Sequence, residues 1–207
     1  NDDYSPVLPL NQSIDRYPCV VYCAGLYGMP EHYTAICEEL ASQGYIVMAP
    51  YHTDGSCPAV LTNRGEIHWE RGKEQFVDST RLNDQDHVKN GMEQYRASQI
   101  EIRSSDVLDI VKTIEMYNNN SRSVDNGANT TTNTTTAEQH HEHGHVDDQE
   151  MKLFENRIDV NRLACIGHSF GGATAISSCT WLSERTGEPY FKIGISLDGW
   201  MEPLKFG

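Results

Sequence analysis

Apolar residues are not spread evenly along the chain. They gather in short blocks separated by glycine-bearing turns and longer polar stretches. Tyr17 to Ala24 reads YPCVVYCA, a short run rich in β-branched residues, which predicts a strand buried on both faces. A glycine turn, GLYGMP at 25–30, follows. Glu31 to Gln43 then places apolar residues at 33, 36, 37, 40 and 41, the spacing of a helix with one inward face. Gly44 stands where a helix-ending glycine belongs, and Tyr45 to Ala49 (YIVMA) predicts a second buried strand. Strand, helix and strand in that order imply a parallel pair and an α/β sheet.

Beyond Pro50 the pattern weakens. His52 to Asn90 is polar with few periodic apolar positions, and reads as a long excursion with one short helix. Tyr95 to Tyr117 carries Ile100, Val107, Leu108, Val111 and Ile114 at helical spacing, so a long amphipathic helix is expected there. From about 118 to 150 almost no apolar residue occurs, and that segment reads as a disordered surface insertion within one domain. The block pattern then resumes. Leu163 to Ile166 predicts a strand, Gly167 to Gly172 a tight turn, Ala173 to Leu182 a helix, and Ile193 to Leu197 a further strand ending at Asp198. The expected architecture is a single α/β domain over 1–207, a mainly parallel sheet flanked by helices.

Composition narrows the function. The chain has 207 residues and a net charge of −14, with 30 acidic against 16 basic side chains. That balance argues against nucleic-acid partners, which need clustered Lys and Arg. It also disfavours strongly anionic membranes but leaves neutral or zwitterionic lipid surfaces open. No apolar run approaches the ~18 residues of a membrane-spanning helix. The opening NDDYSPVLPL has neither the basic start nor the apolar stretch of a signal peptide. Asn11, Asn119, Asn129 and Asn133 begin N-x-S/T strings, so the compartment stays open between cytoplasm and secretion. Six cysteines form no CxxC pair, and Cys19, Cys23 and Cys165 fall in expected core strands as buried thiols. The His140-His141-Glu142-His143-Gly144-His145 tract could bind metal, but it lies in low-complexity sequence and no metal or other cofactor is expected.

The sharpest signal is Gly167-His168-Ser169-Phe170-Gly171-Gly172, a G-x-S-x-G string between an expected strand and an expected helix. That context is the nucleophile corner of an α/β-hydrolase. The serine is lifted above the sheet, and the N-terminus of the next helix points its N–H groups at the charge the reaction creates. Ser169 is the candidate nucleophile and the Phe170 backbone N–H one oxyanion donor; the alternative is a serine that only caps the helix. The Gly25–Gly28 turn after the first strand is placed to give a second donor, the Leu26 N–H, unless it is an ordinary crossover turn. Asp198, at the carboxyl end of a later strand, is the candidate acid of a triad; the alternative is a surface turn residue or a helix cap. His168 should point away from the serine oxygen and reads as a packing residue. Ser, Asp and His follow one another along such chains, yet no histidine follows Asp198 before Gly207, so a fragment ending before the remaining strands is expected.

GHSFGGAT at 167–174 with SLDGWMEPL at 196–204 resembles the nucleophile and acid segments of the platelet-activating-factor acetylhydrolases. Val20–Pro50 resembles that family's first strand, oxyanion loop and helix, and Tyr95–Val111 the helix before its nucleophile strand. The resemblance implies a serine esterase that cleaves the short or oxidised sn-2 acyl ester of a phospholipid, without calcium, at a lipid or lipoprotein surface. It implies Ser169 and Asp198 as catalytic residues, Leu26 and Phe170 as backbone oxyanion donors, and a triad histidine that has no counterpart in this chain. It says nothing of oligomeric state. Two departures stand out: Ala24-Gly25-Leu26 where the family commonly has His-Gly-Leu, and Glu202 where it tends to be apolar. Competing readings are another hydrolase of this fold (a carboxylesterase, thioesterase or dienelactone-hydrolase-like enzyme) and an inactive hydrolase fold used as a binding module.

Overall fold

The structure, a computed structural model, describes residues 15–61, 67–69, 85–119 and 154–206. Its centre is a parallel sheet of four strands: β1 (Tyr17–Cys23), β2 (Ile46–Met48), β5 (Ile158–His168) and β6 (Phe191–Leu197), in the spatial order β2-β1-β5-β6. Two further strands, β3 (Ala59–Leu61) and β4 (Ile67–Trp69), pair antiparallel as a separate ribbon. The helices are α1 (Thr34–Ser42), entered through a 3-10 turn at Pro30–Tyr33, α2 (Gln85–Asn119) and α3 (Phe170–Thr186).

Side chains alternate along β1 and so build two cores. Cys19, Val21 and Cys23 face one way, joined by Cys165 of β5. They pack with Val107, Val111 and Ile114 of α2 and Ala175 and Leu182 of α3. Val20 and Tyr22 face the other way with Ile166, under Ile36, Cys37 and Leu40 of α1. Helices therefore cover both faces of a parallel sheet, as buried parallel strands require. Cys19, Cys23 and Cys165 are fully buried free thiols. At the outer strand, Ile193 and Ile195 are 56% and 37% exposed.

Three parts of the pattern reading need correction. The stretch from His52 to Asn90 holds the β3–β4 ribbon and the first turns of α2, rather than a plain excursion with one short helix. Strands of three residues are too short to show alternation, and QDHVKNGMEQ carries no apolar stripe. Helix α2 also runs on to Asn119, so the start of the assigned insertion is helical; residues 120–153 lie outside the described residues. Strand β5 is 11 residues long, from Ile158, where only 163–166 were apolar enough to predict it. The residues added ahead of Leu163, IDVNR, mix polar and apolar side chains at a half-exposed end.

Candidate active site

Because the four sheet strands are parallel, the residues that follow β1, β5 and β6 all emerge at one edge. Backbone strain concentrates there. Four non-glycine residues have positive φ among the described residues, and three occupy these exits: Tyr27 at 58°, Ser169 at 54° and Asp198 at 47°. Such conformations cost roughly 1–3 kcal/mol each and persist only where the surroundings impose them.

Ser169 is the single residue between β5 and α3, with φ 54° and ψ −118°. It is half-buried, and its hydroxyl makes no cap hydrogen bond to the helix, against the capping alternative. The corner is this tight because glycines flank it. A Cβ on Gly167 would lie 1.9 Å from the Gly171 carbonyl oxygen, and one on Gly171 would lie 2.0 Å from that of Cys23. Only bare backbone lets α3 start so close to β1. Phe170 is the first residue of α3, so its N–H has no acceptor within the helix.

Asp198 is exposed and directly follows β6. The register pairs His168 with Leu197, which makes Ser169 and Asp198 the next positions on adjacent strands. The Ser169 N–H donates to the Leu197 carbonyl at 2.9 Å, and the Trp200 N–H donates to the Ser169 carbonyl at 3.0 Å.

The Gly25–Gly28 turn closes on itself through a Gly28 N–H to Gly25 carbonyl bond of 3.0 Å. It is fastened on both sides. The Tyr27 N–H donates to the Ser56 carbonyl at 2.9 Å, and the Gly25 N–H donates to the Tyr33 hydroxyl at 3.0 Å. That hydroxyl also bonds His168 Nδ1 at 3.0 Å. The His168 ring thus ties the strand before the corner to the turn. The side chains of Leu26 and Phe170 share one apolar cluster with Ile100, Ala173, Trp200, Met201 and Leu204. The two N–H groups expected to meet an oxyanion therefore belong to residues anchored in the same cluster.

A second polar group lies beneath this edge, and the sequence did not announce it. His52, 2% exposed, bonds Asp106 Oδ2 through Nδ1 at 3.1 Å. Asp106 also accepts from the Thr53 N–H and hydroxyl, at 3.1 and 2.9 Å. Burial and the Arg103 charge oppose protonation of His52. The Asp106 hydrogen bond and the Cys23 thiol outweigh them, and the ring titrates above its ordinary value. The Cys23 and Cys165 sulfurs are 4.0 Å apart. A hydrogen bond from Cys165, then His52, holds the Cys23 thiol below the usual range, while the Cys165 thiol is raised. Arg103, 1% exposed, completes the group. Among the described residues no cluster of three or more His, Cys, Asp or Glu is arranged to hold a metal. No helix among them is long and apolar enough to cross a membrane. The histidine tract at 140–145 lies outside the described residues.

A parallel sheet covered by helices on both faces, with a serine on a strained strand-to-helix corner at its carboxyl edge, is the α/β-hydrolase arrangement. The chain belongs to the platelet-activating factor acetylhydrolase, isoform II, family, whose sequence profile matches residues 5–206. It is similar to the platelet-activating factor acetylhydrolase of Canis lupus familiaris, 31% identical over 193 residues, covering 92% of this chain and 36% of that protein. The Bos taurus protein of the same name is 31% identical over 192 residues, again 92% and 36%. That of Gallus gallus is 28% identical over 199 residues, 92% and 40%. The chain thus spans well under half the length of the curated relatives it matches.

Proposed function

We propose that this chain carries the nucleophile half of a calcium-independent serine esterase that releases the short or oxidised sn-2 acyl group of platelet-activating factor and related phospholipids. The observation that carries the reading is Ser169, held at φ 54° between β5 and α3 with its hydroxyl unused by the helix. The family match and the names of the relatives supply the substrate class.

In this reading the Ser169 Oγ attacks the ester carbonyl. A histidine base, to which no residue of this chain is assigned, takes its proton and later returns it to the leaving lysophospholipid. Asp198 orients that base and stabilises its cation. The Leu26 and Phe170 N–H groups receive the charge that builds on the carbonyl oxygen, in place of a metal ion. Water then releases acetate or a short acid from the acyl-serine. The substrate is presented at a lipid or lipoprotein surface.

The test is activity of the full-length protein on acetyl and long-chain sn-2 phospholipids in the presence of a calcium chelator, with fluorophosphonate labelling of Ser169. Turnover of the acetyl substrate, lost in Ser169→Ala, is expected. An unlabelled Ser169 would instead make the fold a binding module, and equal turnover of long chains would make it a general lipase.

A further inference from the structure

The inward stripe of α2 runs through Ile100, Val107, Val111 and Ile114, and Arg103 stands on it, with a second buried arginine, Arg96, one turn before Ile100. Arg103 is 1% exposed. Its Nη1 donates to the Ser56 hydroxyl at 2.7 Å, its Nη2 donates to the Ala24 carbonyl, and its Cζ lies 4.9 Å from the centre of the Phe170 ring. Ser56 is itself fixed, donating its N–H and hydroxyl to Asp54 Oδ1 at 3.2 and 2.6 Å. The Ser56 carbonyl accepts from Tyr27. One guanidinium therefore grips the loop that carries Leu26 at both ends: at Ala24 directly, and at Tyr27 through Ser56. The same guanidinium lies over the ring of Phe170.

We propose that Arg103 is a positioning residue that sets the separation of the Leu26 and Phe170 N–H groups, and thereby the stabilisation of the transition-state oxyanion. The inference rests on the reading of Ser169 as nucleophile and of those two N–H groups as its oxyanion donors. A leucine or methionine at position 103 would continue the apolar stripe and pack on Phe170 without removing a charge from water, so packing alone gives no reason for a cation here. What an arginine adds is a planar fork with two donors in one plane and a flat face for an aromatic ring. Lysine has three donors on a single nitrogen but neither the planar fork nor the flat face. The oxyanion exists only in the transition state and the tetrahedral intermediate, so a displaced donor lowers kcat more than it raises KM.

The experiment uses the full-length protein and the variants Arg103→Met, Arg103→Lys and Ser56→Ala. Active sites are counted by the end point of fluorophosphonate titration, and kcat, KM and the Ki of a trifluoromethyl-ketone substrate analogue are measured. Arg103→Met is expected to lower kcat per titrated site about 100-fold, the scale of losing one oxyanion donor. KM should stay within about 3-fold, and Ki should weaken in proportion to the loss in kcat/KM. Arg103→Lys recovers part of the loss, and Ser56→Ala, which keeps the Ala24 contact, loses about 10-fold. A merely structural role lowers the number of titrated sites and the melting temperature while leaving kcat per site intact. A folded Arg103→Met with kcat per site within about 3-fold of wild type overturns the proposal. If Arg103→Met does not fold, the same criterion applied to Arg103→Lys and Ser56→Ala decides. Full activity in Ser169→Ala would sink the nucleophile reading by itself. An inert Ser169→Ala beside unaffected Arg103 and Ser56 variants would sink only the role of Arg103.

Discussion

Trp200 is joined to Ser169 through the backbone: its N–H donates to the Ser169 carbonyl at 3.0 Å. With the bond from the Ser169 N–H to Leu197, this stitches the turn after β6 to the corner after β5, so Asp198 cannot drift from Ser169 without breaking it. The Trp200 ring reinforces the stitch, packing on Phe170 with centroids 5.6 Å apart. Trp200→Ala, which keeps the N–H and loses the ring, should cost about 2 kcal/mol in urea unfolding, and Trp200→Phe less than half of that.

The strain at Ser169 predicts an order of stability among variants at that position. Alanine keeps the Cβ that makes φ 54° unfavourable, and glycine removes it. Ser169→Gly should therefore exceed Ser169→Ala in unfolding free energy by about 1 kcal/mol. Neither should hydrolyse an ester. Paired denaturation curves and a chromogenic acetyl ester check both statements.

Two glycines make a matched contrast. Gly171 has no room, since a Cβ there would sit 2.0 Å from a β1 carbonyl oxygen. Gly171→Ala should cost about 3 kcal/mol or abolish folding, because both colliding partners are backbone. Gly91 lies within α2 with nothing within 4 Å of an added Cβ. Gly91→Ala should raise stability by about 1 kcal/mol through helix propensity alone. Thermal melts of the two variants should move in opposite directions.

The pair of His52 and Asp106 predicts a pH signature. The folded-state pKa of His52 lies above its ordinary value, so protonation favours the fold. That contribution is complete below an unfolded pKa of about 6.5 and is lost as the pH rises through the folded value. Following the His52 ring protons by NMR should give a midpoint above about 6.5, and Asp106→Asn should bring it down. A midpoint below the ordinary value in the wild type would show that burial, rather than the carboxylate, sets the charge of this ring.

Much of this arrangement was legible in the sequence, for a physical reason. A strand buried on both faces must be apolar throughout, so β1 stood out as a run; β6, largely exposed, stood out by Ile193, Ile195 and Leu197, and the core face of α2 by its period. The corner at Ser169 was legible because the collision at Gly167 and Gly171 leaves only glycine for those positions. The β3–β4 ribbon and the first turns of α2 were not, since neither repeats an apolar residue long enough to show a period. Arg103 left one readable trace: a cation at an inward position of an amphipathic helix, between Ile100 and Val107. What it grips could not be read, because Ala24 and Ser56 lie 79 and 47 residues away along the chain. The bond between Trp200 and Ser169 depends on the register of two strands, which no local pattern encodes.

Strand β6 carries a practical warning for anyone who prepares these 207 residues by themselves. Among the described residues it is hydrogen-bonded along one flank only, and Ile193 and Ile195 stand bare on it. A strip of that kind is adhesive towards any other chain in solution. Light scattering that climbs with protein concentration, and falls once those two isoleucines become lysine or threonine, would be its mark.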